Sequence, residues 1–254
     1  MTVLDQRLDR TIVIRAGRET VFRYFTDNTR WAAWWGPGSS IDATPGGRVR
    51  IRYPDGTEAV GEVVDVASPD RIVFTYGYVS GTLIPPGGSR VTIRLETHAD
   101  GTRVHLTHAF ADASVRDQHV QGWRYQLSVF SNVVADQLHA NAAATVDAWF
   151  EAWANEDERA RATALAAIAA SGLQLRDRFS AIDGLDDVNA HIGGAQRFMP
   201  GFRMRRSGAI RHCQGVVLAD WTATGSDGAT RGTGTNVFML DSDAKIASVV
   251  GLWN

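Results

Sequence analysis

The sequence predicts an α+β protein built as two successive units, and three observations carry that prediction. Between residues 48 and 109 five short runs of alternating apolar and polar residues follow one another, separated by compact turn signals. A single long stretch, 114–139, then carries apolar residues at helical spacing with no Pro and one Gly. After Asn141-Ala-Ala-Ala144 the pattern restarts in a different order, helices before strands, so the chain is not a repeat.

The elements of the first unit follow in order. Residues 9–14 alternate as a strand, and 18–27 read as a short helix with Val21, Phe22 and Phe25 on one face. Gly36-Pro-Gly38 and Pro45-Gly-Gly47 stop any helix. Strands are expected at 48–53, 58–67, 71–78, 89–97 and 102–109, with turns at Pro54-Asp-Gly56, Ser68-Pro-Asp70 and Ala99-Asp-Gly101. Such short connections favour antiparallel pairing. On the long helix His119, Trp123, Leu127, Phe130 and Val134 recur at steps of three and four, so one face must lie on the sheet. A curved sheet wrapped on a helix leaves a cavity between them.

Residues 1–140 and 141–254 are therefore expected as separate domains. In the second, 145–155 is amphipathic with Trp149, Phe150 and Trp153, and 156–170 is an Ala-rich helix. Residues 173–180 read as a strand, 186–198 as a helix, and 203–213, 215–224, 232–240 and 246–253 as strands. Turns fall at Ser226-Asp-Gly228 and Asp241-Ser-Asp243, which describes an α+β cone.

Composition narrows the function. With 44% hydrophobic and 21% charged residues a packed core is expected. A net charge of −2, with basic residues spread along the chain, argues against nucleic acid as a partner. Cys213 is the only cysteine, which rules out an internal disulfide and a cysteine metal cluster, and its neighbour His212 falls on the opposite strand face. No stretch reads as a signal peptide or membrane span, so a cytoplasmic location without membrane partners is expected. No His-Glu-x-x-His spacing, phosphate loop, Rossmann fingerprint or nucleophile elbow is present; neither a metal nor an organic cofactor is expected.

Particular motifs carry a family resemblance. Ala16-Gly-Arg-Glu-Thr-Val-Phe22, Trp31-Ala-Ala-Trp-Trp-Gly-Pro-Gly38, Pro45-Gly-Gly-Arg48, Gly61-Glu-Val63, Pro69-Asp-Arg-Ile-Val-Phe74 and Gly122-Trp123 resemble the activator-of-Hsp90-ATPase-like branch of the START-like, or SRPBCC, superfamily. From about residue 145 onward, Trp149-Phe-Glu-Ala-Trp153, Asp177-Arg178, Gly184 with His191, Trp221, Gly232-Thr-Gly234 and residues 246–253 look like the SnoaL-like polyketide cyclase branch of the nuclear-transport-factor-2-like superfamily. The resemblance implies a START-like helix-grip domain followed by a nuclear-transport-factor-2-like cone, each enclosing a pocket. It also implies cofactor-independent acid–base chemistry as one role of the cone, and a homodimer through its outer sheet face, with which Phe202–Arg206 is compatible. Asn236 stands where such relatives commonly carry an acid.

The candidate catalytic residues lie in the second unit. Leu173, Leu175, Asp177 and Phe179 share a strand face by alternation, so Asp177 is either a general acid or base among apolar neighbours or the partner of Arg197 or Arg206. His191 shares a helix face with Val188, Ala195 and Phe198, as a proton shuttle or a hydrogen-bonded core residue, and Asn236 is an amide donor. Trp149, Trp153, Phe198, Trp221 and Trp253 would form the wall. In the first unit Tyr76, His108 and Trp123, with His119, are expected to touch the ligand, or else to pack the core, while Trp31, Trp34 and Trp35 are expected to pack the first helix to the sheet and not to bind a ligand. The expected activity is a cyclase, isomerase, hydratase or hydrolase acting on a small hydrophobic molecule in the cone. The alternative is a binding protein that returns such a ligand unchanged; a chaperone partner is a third reading.

Overall fold

Period-two burial builds the first sheet, most regularly in β7 (Gly101–Phe110), where Thr102, Val104, Leu106, His108 and Phe110 all turn inward. Residues 3–254 are described by the computed structural model, and they fall into two compact units, one ending at Val134 and the other beginning at Ala135. In the first, β1 (Gln6–Ile14), β2 (Ser40–Ile41), β3 (Arg48–Arg52), β4 (Glu58–Ala67), β5 (Arg71–Tyr78), β6 (Ser89–His98) and β7 form one antiparallel sheet in the order β1-β7-β6-β5-β4-β3-β2. The inner face carries Val49 and Ile51, then Ile72, Phe74 and Tyr76, then Ser89, Val91, Ile93 and Leu95.

Three helical pieces cover that face. The expected helix 18–27 is α1 (Arg18–Phe22) followed by a 3-10 turn at Arg23–Phe25, because Asp27 accepts a hydrogen bond from the Arg30 N–H and starts α2 (Asn28–Trp35). Trp31, Trp34 and Trp35 of α2 are buried. The long helix α3 (Ala113–Leu138) follows its predicted face: Trp123, Leu127, Phe130 and Val134 are each at most 5% exposed.

The second unit opens on α4 (Ala142–Ala154) and α5 (Glu158–Ile168), the latter capped by Asp157. Its strands are β8 (Ala169–Arg176), β9 (Ala181–Asp183), β10 (Arg203–Arg206), β11 (Arg211–Cys213), β12 (Val216–Thr224), β13 (Thr230–Leu240) and β14 (Ile246–Trp253), with α6 (Leu185–Phe198) between β9 and β10. They lie in the order β10-β12-β13-β14-β8-β9, with β11 beside β12 and only the β14–β8 pair parallel. Trp149, Phe150, Leu165, Leu173, Val188, Ile192 and Phe238 are central to its core. Both units are α+β, a helix-grip arrangement followed by a cone. No helix is long and apolar enough to cross a membrane.

Three local expectations are corrected. The strand expected at 173–180 ends at Arg176, because the Asp177 N–H and the Ser180 carbonyl close a tight turn at 2.9 Å. Phe179 therefore leaves the inner face and is 72% exposed. The strand expected at 203–213 is broken after Arg206, where Gly208 takes φ +84°. Phe198, placed by helical spacing on the buried face of α6, is 88% exposed, because the last turn of that helix runs past the elements that cover Val188 and Ile192.

Candidate functional site

The inner face of the first sheet ends in polar residues where α3 crosses it. There Tyr53, Tyr76, Tyr78 and His108 meet Trp35 of α2 and Gln118, His119, Gly122, Trp123 and Gln126 of α3 around a cavity of about 230 Å³, with Leu83 also on its wall. The three ligand-contacting residues expected in this unit, Tyr76, His108 and Trp123, thus share one cavity. That volume lies below the roughly 300–1,000 Å³ typical of drug-sized ligand sites.

A chain of hydrogen bonds fixes one wall. The Trp123 indole N–H, which can only donate, meets His108 Nδ1 at 2.9 Å, so Nδ1 accepts. The ring proton then sits on Nε2 and is donated to Ser89 Oγ at 2.8 Å, and the Ser89 hydroxyl donates to the Tyr76 carbonyl at 2.8 Å. Burial, with the neighbouring His119 adding to it, holds the His108 pKa well below the ordinary histidine value. His108 is neutral and both ring nitrogens are engaged, so it shapes the cavity and has no lone pair left for a proton.

His119 differs. Its Nδ1 lies 2.7 Å from the Val115 carbonyl and must donate there, which leaves Nε2 as an acceptor facing the Tyr78 hydroxyl at 3.3 Å. Burial lowers its pKa, opposed by the Val115 carbonyl. The Tyr53 and Tyr76 hydroxyls meet at 2.9 Å, and burial pushes both phenols far above their ordinary range, so they remain protonated. Trp35 is 4% exposed and its indole N–H has no partner among the described residues. A buried donor without an acceptor costs stability.

In the second unit the residues singled out from sequence gather at one end. Asn236 on β13 pairs in register with Gly251 on β14 and accepts the Trp221 indole N–H at 2.9 Å. A Cβ at Gly251 would stand 3.1 Å from Asp177 Cβ and 3.4 Å from Asn236 Oδ1, so both side chains border the space that this glycine leaves open. Asp177 caps its own turn by accepting the Phe179 N–H at 2.7 Å. It has no ion pair with either proposed arginine: Arg206 binds Asp147 through two bonds of 2.8 Å. His191 Nε2 lies 3.0 Å from Ser180 Oγ, in the turn that begins at Asp177, and its ring is 5.9 Å from that of Trp153. Trp149 and Trp153 pack edge to face at 6.2 Å, and both indole N–H groups are buried without a partner among the described residues. Trp253 stacks edge-on against Trp221 at 4.8 Å and Phe179 at 5.5 Å. Phe198 is apart from this group, for the reason given above.

Residues 15–135 match a known family model. It is described as activator of Hsp90 ATPase homolog 1-like protein. The Hsp90-ATPase-activator-like match thus begins just after β1, runs through β2 to β7 into α3, and contains every residue of the cavity wall. The chain is also similar to a SnoaL-like family protein from Agrobacterium tumefaciens, at 23% identity over 46% of this chain and 98% of that one, with a TM-score of 0.43. It is also similar to the Aha1 dimer from Colwellia psychrerythraea, at 17% identity over 50% of this chain and 95% of that one, TM-score 0.45. A third similar structure is protein Ms6760 from Mycobacterium smegmatis, at 24% identity over 53% and 91%, TM-score 0.44. No curated protein matches the chain.

Sequence reasoning missed Trp35, Tyr53 and Gln126 as wall residues. The signal for Tyr53 was present, since it continues the inward series Val49, Ile51 by alternation. Trp35 follows Trp31 by one helical turn, but its helix was not recognised between Asp27 and Gly36.

Proposed function

We propose that the protein binds a small, largely apolar molecule bearing a hydrogen-bond acceptor in the cavity of its first unit. The observation that carries this reading is the buried, unpartnered indole N–H of Trp35 in a wall where Tyr53 pairs with Tyr76, Tyr78 with His119 and Trp123 with His108. Trp35, Trp123 and His108 supply apolar surface, while Trp35 N–H and the tyrosine hydroxyls supply the few polar points that orient a ligand. His108 is closed to proton transfer by its two hydrogen bonds, which favours retention over chemistry.

The test compares binding of an aryl ketone with its deoxygenated alkylbenzene by calorimetry. Wild type should favour the ketone by about tenfold, the worth of one good hydrogen bond, and Trp35→Phe should bind both alike. Equal binding of the pair by wild type would remove the acceptor from the reading.

A second reading is acid–base chemistry in the second unit, with Asp177 as base, His191 as proton shuttle and Asn236 as amide donor. Its support is that Asp177 and Asn236 both border the space left open at Gly251, together with the unpartnered indole N–H of Trp153, whose ring lies 5.9 Å from that of His191. Trp149, Trp153, Trp221 and Trp253 would line that site. Turnover of a molecule extracted from the purified protein, lost in Asp177→Asn and in His191→Ala, would support it; retention in both variants excludes these roles.

A further inference from the structure

Arg161, four residues into α5, is 2% exposed, yet its guanidinium forms no ion pair among the described residues. Three of its five N–H groups are taken by neutral oxygens: Nε to Asn189 Oδ1 at 2.7 Å, and the two terminal nitrogens to the carbonyls of Asn155 at 2.8 Å and Asn189 at 3.2 Å. Neutral acceptors offset only part of the cost of taking a full charge out of water. The helix that packs on it is shaped for it: a Cβ at Gly193, in the middle of α6, would stand 2.9 Å from the Arg161 terminal nitrogen. Arg161 also lines a cavity of about 340 Å³, into which Gly193, Gln196 and Arg197 face from one side of α6. Arg197 likewise has no ion pair among the described residues.

We infer that this cavity is an oxyanion site for a small carboxylate, held by the fork of Arg161 at its base and by Arg197 at its mouth. The planar fork matches a carboxylate through two parallel bonds, and two of its N–H groups are uncommitted. Glu156 and Glu158 line the same cavity and are exposed. Their two negative charges balance those of Arg161 and Arg197, so the lining carries no net positive charge to draw in a phosphate dianion ahead of a carboxylate monoanion. This site is separate from the first-unit cavity and does not depend on the reading given to it.

The test is calorimetry and thermal melting of the full chain with sodium acetate, sodium propionate and inorganic phosphate, against chloride at equal ionic strength. Saturable carboxylate binding is expected, weakened about tenfold in Arg197→Gln, tightened in Glu158→Gln and unchanged in Gly122→Leu. Arg161→Lys, which keeps the charge and removes the fork, should lose it with its circular dichroism intact. Because Arg161 also ties α5 to α6, Arg197→Gln decides the matter if that variant does not fold. Absence of saturable binding, an unchanged affinity in Arg197→Gln, or a preference for phosphate would each overturn the assignment.

Discussion

Trp123 donates its indole N–H to His108 Nδ1 at 2.9 Å, and this bond fixes the tautomer of a histidine that is completely buried. The relay it starts runs from His108 of β7 through Ser89 of β6 to the backbone of β5, so a helix residue and three strands share one satisfied polar chain. Such a chain rigidifies a cavity wall only while every member is present. Trp123→Phe keeps most of the packing and leaves His108 Nδ1 buried without a donor. It should lower stability by about 1–3 kcal/mol in urea unfolding. A change under 0.5 kcal/mol would mean that the relay contributes little.

The same burial sets a pH dependence. His108 is held well below its ordinary pKa of 6.5 by burial and by His119, and His119 is lowered by burial as well. The unfolded chain therefore binds these protons more readily than the folded one, so stability rises with pH up to about 6.5 and this contribution is flat above it. Below that point each neutral buried ring adds a slope of about 1.4 kcal/mol per pH unit, less for the partly exposed His119. His108→Gln should flatten the acid limb by about one proton's worth, measured as urea midpoints across pH 5 to 8. An unchanged slope would place the His108 pKa near its ordinary value.

Gly234 and Gly122 make opposite predictions. A Cβ at Gly234 would lie 2.1 Å from the Leu252 carbonyl and 2.5 Å from Trp221 Cζ2, and Trp221 is 1% exposed with no room to retreat. Gly234→Ala should displace Trp221 from Asn236 and cost about 3 kcal/mol or more in the second unit. A Cβ at Gly122 meets nothing within 4 Å, so Gly122→Leu should raise the melting temperature slightly through helix propensity, worth up to about 0.8 kcal/mol.

Trp35→Phe separates binding from stability. It removes the unpartnered N–H and keeps the aromatic surface that packs on Trp34 at 4.3 Å and Trp123 at 5.7 Å. Without ligand the variant should melt within about 1 kcal/mol of wild type or above it, because no hydrogen bond is lost. A large loss of stability would show that the N–H has a partner in solution.

Much of the fold was legible in the sequence because alternation and helical spacing are strong local signals. The face of α3 through Trp123, Leu127, Phe130 and Val134 and the inward run of β7 through His108 followed from period alone. The errors share a physical origin. Asp177 and Phe179 alternate with Leu173 and Leu175, but a turn closed by the Ser180 backbone overrides the alternation. Phe198 continues the spacing of Val188 and Ala195, but spacing does not say where the covering layer ends. The hydrogen-bond pattern that distinguishes His108 from His119 depends on residues from β5, β6 and α3 meeting in space, which no local pattern encodes.

The most direct test of the binding reading is native mass spectrometry of the purified protein beside its Gly122→Leu variant, with extraction of any retained small molecule. Gly122 lies on the cavity wall and is exposed, and a Cβ there meets nothing within 4 Å, so leucine is expected to narrow the first-unit cavity without disturbing the fold. The account predicts that wild type retains a small molecule with an acceptor group and that the stably folded variant does not. Equal retention by both proteins would contradict it and move the ligand to another site.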